Sequence, residues 1–178
     1  GDVYKRQVLD EAYIDFAEGR GFLPRIDEFP NLIVLQTLSK AWGMAGLRLG
    51  LAFASEQIAA LFGQVKYPYN INTLTQQTAA ECLRRNIAAQ VAQIREERGR
   101  LATALAGCGC IEQVYPSQAN FLLVKTADPD RLYGELIAAG VIVRNRTRIA
   151  GCEGCLRITV GTPAENGRML ETVKNFRP

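Results

Sequence analysis

The sequence predicts an α/β protein made of a mostly parallel sheet domain followed by a smaller α/β unit. Short apolar runs of strand length alternate along the chain with longer segments of helical composition, which is the order expected of an α/β fold. The first apolar runs lack polar alternation, as is typical of parallel strands that are buried on both faces. With 178 residues, of which 48% are hydrophobic, the chain can bury one core or two small ones.

The first part of the chain contains three apolar runs that predict strands, at 8–10, 32–36 and 47–54. A helix is predicted over 55–64, with Ser55 as its N-cap. A loop with tyrosines and a proline follows. The segment 73–106 is rich in good helix formers and predicts one long helix or two.

The second part of the chain predicts another α/β unit. Its predicted strands are 111–115, 120–125, 141–144 and 156–160, and its predicted helices are 129–139 and 163–176. Thr162 and Pro163 have the residue types expected at the N-cap and the first position of the closing helix. We expect the division near residue 90, giving a partial large domain over 8–90 and a small C-terminal domain over 91–178.

The first seven residues do not fit this pattern. The segment 1–7 is polar and charged where the strand that leads to Asp10 should be apolar. We interpret it as a translated cloning or sequencing scar joined to a truncated chain. The alternative is an ordinary exposed amino-terminal segment.

The composition excludes several classes of function. The net charge is +3 and the basic residues are scattered, which argues against a nucleic-acid surface. No run approaches the ~20 apolar residues of a membrane span, and no secretory leader is recognisable, so we expect a soluble, cytoplasmic protein. The absence of histidine excludes Ser-His-Asp and Cys-His catalysis and most catalytic zinc sites. A general acid or base must therefore be Lys, Tyr, Cys, Asp or Glu.

The five cysteines allow two interpretations. They are Cys82, Cys108, Cys110, Cys152 and Cys155. The last four could form a four-thiolate zinc site. Because C-x-C is not the usual spacing of such a site, we favour unrelated thiols of a reduced protein and predict no metal.

Lys40 is the most informative residue. It follows the apolar run 31–35, and glycines that allow close approach of a ligand follow it. A primary amine can link covalently to an aldehyde cofactor. Asp10 and Tyr13 also follow an apolar run, and this set of groups suits pyridoxal phosphate. Since no other charge lies within seven residues of Lys40, we favour this interpretation over an exposed loop lysine.

Three segments carry a family resemblance: Val8–Phe16 (VLDEAYIDF), Thr37–Ala41 (TLSKA) and Leu156–Thr162 (LRITVGT). In this order and spacing they resemble the histidinol-phosphate aminotransferase family, which belongs to the class-II, fold-type-I aminotransferases that depend on pyridoxal 5'-phosphate. The resemblance extends from about residue 8 to the carboxyl terminus. It implies the C-terminal part of the large, mostly parallel-sheet domain plus the small C-terminal α/β domain.

The resemblance implies roles for the cofactor-binding residues. Asp10 would pair with the pyridinium nitrogen, and Tyr13 would donate a hydrogen bond to O3′. Lys40 would be the catalytic residue that links to the cofactor and moves the proton. On their own, Asp10 could be a turn residue and Tyr13 a tyrosine packed at a strand end.

Three further residues would hold the cofactor phosphate. Thr37, Ser39 and Arg48 match the family pattern in their spacing from Lys40. Hydroxyls and a guanidinium suit a dianion because they form charge-assisted, directional hydrogen bonds. The alternative for Arg48 is a solvated arginine at a strand edge.

The resemblance also implies substrate-binding residues. Arg157 would bind the α-carboxylate of glutamate and, in the other half-reaction, the phosphate of histidinol phosphate. Arg144 would contact the same phosphate, and Asn120 matches a family position near the site. Arg146 and Arg148 are expected on a solvated loop.

The implied reaction is a ping-pong transamination between L-histidinol phosphate and 2-oxoglutarate in histidine biosynthesis. The family's enzymes are longer than this chain and form homodimers, so we expect the chain alone to bind the cofactor poorly and to have little activity. Two alternatives stay open. One is another fold-type-I enzyme, such as an aromatic aminotransferase or a threonine-phosphate decarboxylase, and the other is a non-catalytic fragment that keeps the fold.

Overall fold

The computed structural model of the chain describes residues 5–177. Contacts divide the chain into two compact units, one that ends at Ala89 and one that begins at Gln90. Residues 1–4 of the proposed scar lie outside the described residues, whereas Gln7 belongs to the first strand. No helix between residues 5 and 177 is long and apolar enough to cross a lipid bilayer.

Unit 1 contains a three-stranded sheet. Its strands are β1 (Gln7–Asp10), β2 (Leu32–Thr37) and β3 (Gly50–Ala54), in the order β1-β2-β3. β1 and β2 are parallel, whereas β2 and β3 are antiparallel. The described part of this sheet is therefore mixed, where the sequence predicted mostly parallel strands. The link from β2 to β3 carries only a short 3-10 turn, Ala45–Leu47, whereas a parallel return needs a longer crossover, usually with a helix.

The third strand is shorter than predicted. The apolar run 47–54 begins within the 3-10 turn, and pairing with β2 starts only at Gly50. Arg48 lies between them with a left-handed backbone, φ 52°. A residue in this conformation cannot continue an extended strand, so the strand prediction was wrong for its first three residues.

Two 3-10 helices, Ile14–Phe16 and Leu23–Glu28, lie between β1 and β2, and the α-helices of unit 1 follow the third strand. They are α1 (Glu56–Val65), α2 (Thr73–Cys82) and the start of α3 (Ala88–Ala106). The helical region 73–106 is therefore two helices. Asn72 caps α2 by accepting the backbone N–H of Thr75 at 2.9 Å. The Ser55 hydroxyl does not cap α1 but donates to the Pro30 carbonyl at 3.1 Å.

Unit 2 contains a four-stranded antiparallel sheet. Its strands are β4 (Ile111–Val114), β5 (Phe121–Thr126), β6 (Arg144–Asn145) and β7 (Cys155–Thr159), in the order β4-β5-β7-β6. The predicted strand over 141–144 was wrong in extent, because only Arg144 and Asn145 pair with β7. The helices α4 (Pro129–Ala138) and α5 (Pro163–Asn175) pack against each other.

The core of unit 2 lies where the helices cover one face of this sheet. β5 alternates buried and half-buried side chains, as a strand with one covered face should. The leucines of this core are fully buried, and each stabilises the fold by about 1.5–3 kcal/mol relative to an exposed position. They include Leu101, Leu105, Leu122, Leu132, Leu136 and Leu156. Thr162 caps α5 and Pro163 is its first residue, as the sequence predicted, and the structure adds a capping box between Thr162 and Glu165.

Candidate functional site

Two of the predicted site residues end neighbouring strands of unit 1. Asp10 is the last residue of β1, and Thr37 is the last residue of β2. The strands are parallel, with Asp10 opposite Leu35, so their carboxyl ends lie at the same edge of the sheet. The turns that follow β1 and β2 therefore both begin at this edge.

Lys40 and Tyr13 meet at this edge. The Lys40 ammonium nitrogen lies 5.5 Å from the centre of the Tyr13 ring, within the range of a cation–π contact. The neighbours Leu38 and Ala41 are buried, with 2% and 0% exposure. Lys40 itself is exposed. The buried neighbours therefore fix the turn to the rest of unit 1 and leave the amine accessible. The result is a reachable primary amine on an anchored turn.

The Asp10 carboxylate is also exposed. Its Oδ1 accepts the backbone N–H of Ala12 at 2.9 Å, which is an Asx turn. The turn role that the sequence left open for Asp10 is therefore present. This role does not conflict with a ligand role, because a carboxylate has about four acceptor sites.

The predicted phosphate-binding residues lie in the turn after β2 and in the turn before β3. The backbone N–H of Ser39 donates to Oγ1 of Thr37 at 3.1 Å. Arg48 is exposed, and its guanidinium donates to the Ala45 carbonyl at 3.2 Å. The Leu38 N–H donates to the Leu49 carbonyl at 3.4 Å, which brings the two turns side by side.

The left-handed backbone of Arg48 is a feature that the sequence did not predict. Arginine has no special tolerance for this conformation, which costs a non-glycine residue about 1–2 kcal/mol. Among residues 5–177, Arg48 is the one non-glycine residue with a positive φ. Such outliers cluster at ligand-binding sites, where the surrounding structure enforces them.

Glu11 is a buried acid at this edge that the sequence reasoning missed. The residue is 6% exposed, and both of its carboxylate oxygens accept hydrogen bonds. Oε1 accepts the backbone N–H of Phe22 at 2.6 Å, and Oε2 accepts the Gln36 amide at 3.0 Å. No sequence pattern signals this burial, because a glutamate next to a turn is usually solvated.

In unit 2, Arg144 and Arg157 face each other across β6 and β7, where they are register partners. The Arg157 guanidinium also lies 4.9 Å from the centre of the Phe121 ring. Like charges directly opposite on neighbouring strands are destabilising. An anion that binds both guanidinium groups would remove this repulsion.

The two arginines line a cavity of about 800 Å³ within unit 2. Arg146 and Arg148, which the sequence placed on a solvated loop, line it as well. Arg146 is half-buried, whereas Arg148 is exposed as expected. The carboxylate in the wall is Asp130, whose Oδ1 accepts the Asn145 amide at 2.6 Å. Four guanidinium groups against one carboxylate make the cavity electropositive.

Asn120 lies directly before β5 and is half-buried. Its carbonyl accepts the backbone N–H of Val160 at 2.9 Å, directly after the strand that carries Arg157. The proposed contact of its side chain with substrate stays a prediction.

A buried polar network connects two helices of unit 2. Glu97 in α3 accepts two hydrogen bonds from Arg100, at 2.8 and 2.7 Å, and one from Asn166 in α5, at 2.7 Å. Asn166 also exchanges hydrogen bonds with the backbone of Gly161, so the network secures the turn after β7. The hydrogen bonds from Arg100 and Asn166 hold the pKa of the Glu97 carboxyl below its usual range.

The cysteines have no arrangement suited to a metal in the described structure. Among residues 5–177, no group of three or more Cys, Asp or Glu side chains is placed to hold a metal ion. Burial raises the pKa of the Cys110 and Cys155 thiols, with a smaller contribution from the neighbouring Cys108 and Cys152. A raised pKa keeps these thiols protonated and weakly nucleophilic.

Comparison with known sequences gives matches over nearly the whole chain. The family model described as aminotransferase class I and II matches residues 6–173. A histidinol-phosphate aminotransferase of Parabacteroides distasonis is 52% identical over 172 residues, which are 96% of this chain and 50% of that protein. The chain spans about half the length of the curated relatives it matches.

Solved structures of the same kind share the fold. The histidinol-phosphate aminotransferase from Clostridium acetobutylicum is 26% identical with a TM-score of 0.88, and the match covers 96% of this chain and 53% of that one. The enzyme of the same name from Sinorhizobium meliloti, solved in complex with pyridoxal-5'-phosphate, is 25% identical with a TM-score of 0.80, covering 96% and 48%.

Proposed function

Since this chain belongs to the aminotransferase class I and II family, we propose that it carries much of the site for a transamination that depends on pyridoxal 5'-phosphate. The proposed substrates are L-histidinol phosphate and 2-oxoglutarate, in histidine biosynthesis. The observation that carries the proposal is the exposed Lys40 amine, held 5.5 Å from the Tyr13 ring at the sheet edge where β1 and β2 end.

The residues of unit 1 fit this cofactor by their chemistry. When bound, the cofactor supplies an aldehyde that reacts with amines and a ring that accepts electrons. Lys40 is the primary amine for the aldehyde and the base that moves a proton at the substrate's Cα. Asp10 would be the carboxylate that keeps the ring nitrogen protonated, and Tyr13 would be the phenol that donates a hydrogen bond to O3′.

The cofactor phosphate is assigned to the paired turns of unit 1. Thr37 and Ser39 offer hydroxyl groups in the turn after β2. Arg48 lies in the neighbouring turn, and its unusual backbone is consistent with a functional constraint there. A guanidinium and two hydroxyls provide directional donors for a dianion.

The acid group of the substrate is assigned to unit 2. Arg144 and Arg157 lie opposite each other on β6 and β7, in the wall of an electropositive cavity. Two guanidinium groups can form paired hydrogen bonds with a phosphate or a carboxylate. This supports a substrate that carries a phosphate in one half-reaction and a carboxylate in the other. We also propose Asn120 as a third substrate-binding residue.

The wider assignments are part of the same proposal. We place the protein in the cytoplasm and expect a homodimer in the full-length form. We expect no nucleic-acid or membrane partner. A related decarboxylase or aromatic aminotransferase would use the same unit 1 residues and differ in its substrate.

The test uses covalent trapping on two proteins. One is this chain, and the other is a fusion in which the amino-terminal half of a curated relative precedes it. Each is incubated with pyridoxal 5'-phosphate, reduced with borohydride and mapped by mass spectrometry. We expect the adduct on Lys40 in the fusion and only a trace in the chain alone. An adduct spread over surface lysines, or none in the fusion, would refute the cofactor assignment.

The substrate is tested by turnover in the same fusion. Histidinol phosphate, phenylalanine and threonine phosphate are supplied in parallel with 2-oxoglutarate. We expect glutamate formation to be fastest with histidinol phosphate. Preference for phenylalanine, or carbon dioxide release from threonine phosphate, would assign the chain to one of the related enzymes.

A further inference from the structure

We propose that Glu11 is a positioning residue that holds the Asp10–Tyr13 segment and the Lys40 segment in one arrangement. The inference rests on the proposed function, because the groups it positions are the proposed cofactor ligands. Glu11 itself is buried and does not need to touch the cofactor.

The backbone of Glu11 connects the two segments first. Its N–H donates to the Leu35 carbonyl at 2.8 Å, which extends the pairing of β1 with β2 by one residue beyond Asp10. Its carbonyl accepts the N–H of Ile14 at 3.0 Å, which closes the turn that contains Tyr13. The backbone of this one residue therefore sets both the end of β1 and the start of the turn.

The side chain adds two longer-range connections. Oε2 accepts the amide of Gln36, which lies in β2 immediately before Thr37. Oε1 accepts the N–H of Phe22 in the loop between β1 and β2. A hydrogen bond to an ionised group is stronger than a neutral one, and burial increases the loss when it is removed. One carboxylate thus connects the end of β1 with the end of β2 and with the loop between them.

The surrounding chain is shaped to this carboxylate. Gly21 has a φ of +65°, and a Cβ built on it would lie unacceptably close to Glu11 Oε1. Glycine at residue 21 suits this positive φ, and a larger residue there would push the Glu11 carboxylate away from its hydrogen-bond partners. Such a fit indicates a defined location for the carboxylate, unlike that of a solvated surface acid.

The partner groups allow an exchange test. In Glu11→Gln the new amide can keep both contacts, because its oxygen can accept from Phe22 and its nitrogen can donate to a rotated Gln36 amide. In Gln36→Glu two carboxylates would face each other. The double variant E11Q/Q36E restores one donor and one acceptor with the charge on the opposite residue. Glu11→Ala removes both contacts.

The experiment measures how pyridoxal 5'-phosphate binds to this chain and to the fusion protein. The readouts are the cofactor dissociation constant, the yield of the borohydride adduct on Lys40, and the pH at which the absorbance of the bound cofactor changes. All are recorded below the unfolding temperature of each variant. Asp27→Asn, which alters an exposed acid of the same unit, is the matched control.

We expect E11A and Q36E to bind the cofactor at least about tenfold more weakly, as for the loss of one hydrogen bond to a charged group. The pH of the absorbance change should shift in both variants, because that value reports on the contacts made by Asp10 and Tyr13. E11Q and E11Q/Q36E keep both contacts and should recover most of the affinity that E11A and Q36E lose, and D27N should match wild type. Should E11A not fold, Gln36→Leu removes one contact and should give a smaller change of the same sign.

The inference would be overturned if folded E11A and Q36E bound the cofactor with wild-type affinity and showed an unshifted pH of the absorbance change. If E11A does not fold, the same result in folded Q36L would overturn it. Glu11 would then be a stabilising residue only. Failure of the double variant to recover would also overturn it, because the exchange restores the proposed contacts. If the wild-type fusion itself gives no Lys40 adduct, the proposed function fails instead.

Discussion

The Lys40 ammonium group lies 5.5 Å from the centre of the Tyr13 ring, although the two residues belong to turns after different strands. The parallel pairing of β1 with β2 accounts for this contact, since it places both turns at one sheet edge. An amine next to a phenol ring is favoured by the cation–π attraction, by about 0.5–1 kcal/mol at an exposed location. The contact therefore helps to hold the amine where the proposed chemistry requires it.

Replacement of Tyr13 by phenylalanine removes the hydroxyl and keeps the ring, so it separates the contributions of the two groups. The ring contact with Lys40 should persist, so the borohydride adduct should still form on Lys40 in the fusion. Turnover should fall by roughly tenfold to a hundredfold, because a hydrogen bond to a charged group contributes about 1.5–3 kcal/mol. Steady-state kinetics of the fusion measure this effect. Tyr13→Ala should reduce both the adduct and the turnover, and equal behaviour of the two variants would contradict the separate roles.

The opposed arginines predict that phosphate stabilises this chain. Inorganic phosphate should raise the unfolding midpoint, because an anion bound by Arg144 and Arg157 stabilises the folded state. Arg144→Gln should raise stability without phosphate by about 0.2–1 kcal/mol through removal of the like-charge pair. The same variant should lose most of the phosphate effect.

Thermal unfolding at constant ionic strength, with sulfate-free buffer and a phosphate series, measures both changes. Arg148→Gln is the matched control, because Arg148 is exposed like Arg144 and lines the same cavity but lies outside the strand pair. It should reduce the phosphate effect less than Arg144→Gln. An equal reduction would show general electrostatic attraction and no specific pair.

Glu97→Gln should lower the stability of unit 2 in a way that depends on pH. The folded-state pKa of Glu97 is lowered from the ordinary value of 4.5, mainly by the hydrogen bonds from Arg100. The carboxylate therefore contributes its full stabilisation above the unfolded-state pKa and loses it as the pH falls through the folded-state value. The difference between wild type and the variant should be largest near neutral pH and should shrink below about pH 4.5.

Denaturant unfolding at a series of pH values measures this difference. Glu171→Gln, an exposed acid on α5, serves as the control and should show no such trend. A constant difference at all pH values would mean that the packing and not the charge of Glu97 carries the effect.

Alanine substitutions at two glycines of unit 1 distinguish the cost of a left-handed backbone from the cost of lost hydrogen bonds. Gly21 and Gly43 have similar positive φ values, +65° and +67°, but only at Gly21 would a Cβ meet the Glu11 carboxylate. Gly43→Ala should cost about 1–2 kcal/mol for the left-handed backbone. Gly21→Ala should cost about 3–5 kcal/mol, because it also disturbs the two hydrogen bonds of Glu11. Equal losses of unfolding free energy would show that Glu11 moves aside without cost.

Local sequence patterns predicted most of the elements correctly. The apolar runs at 8–10 and 32–36 became β1 and β2, and the Thr162–Pro163 pair starts α5 at its capping box. These features depend on neighbours in the sequence, on the composition of a short run or on a cap within one turn. The failures occurred where local preference and tertiary context compete. The apolar residues 141–143 have the composition of a strand but pair with no neighbour there.

The sequence by itself determined the chemical inventory at the sheet edge and its spacing: an amine, a phenol, hydroxyls and acids after apolar strands. It also determined the family to which the chain belongs. Only the tertiary structure decided that β3 runs antiparallel, that Arg144 faces Arg157 and that the Glu11 carboxylate is buried. The physical reason is that these features depend on contacts between residues far apart in the chain. Glu11 is joined to Phe22 and Gln36, which lie 11 and 25 residues away.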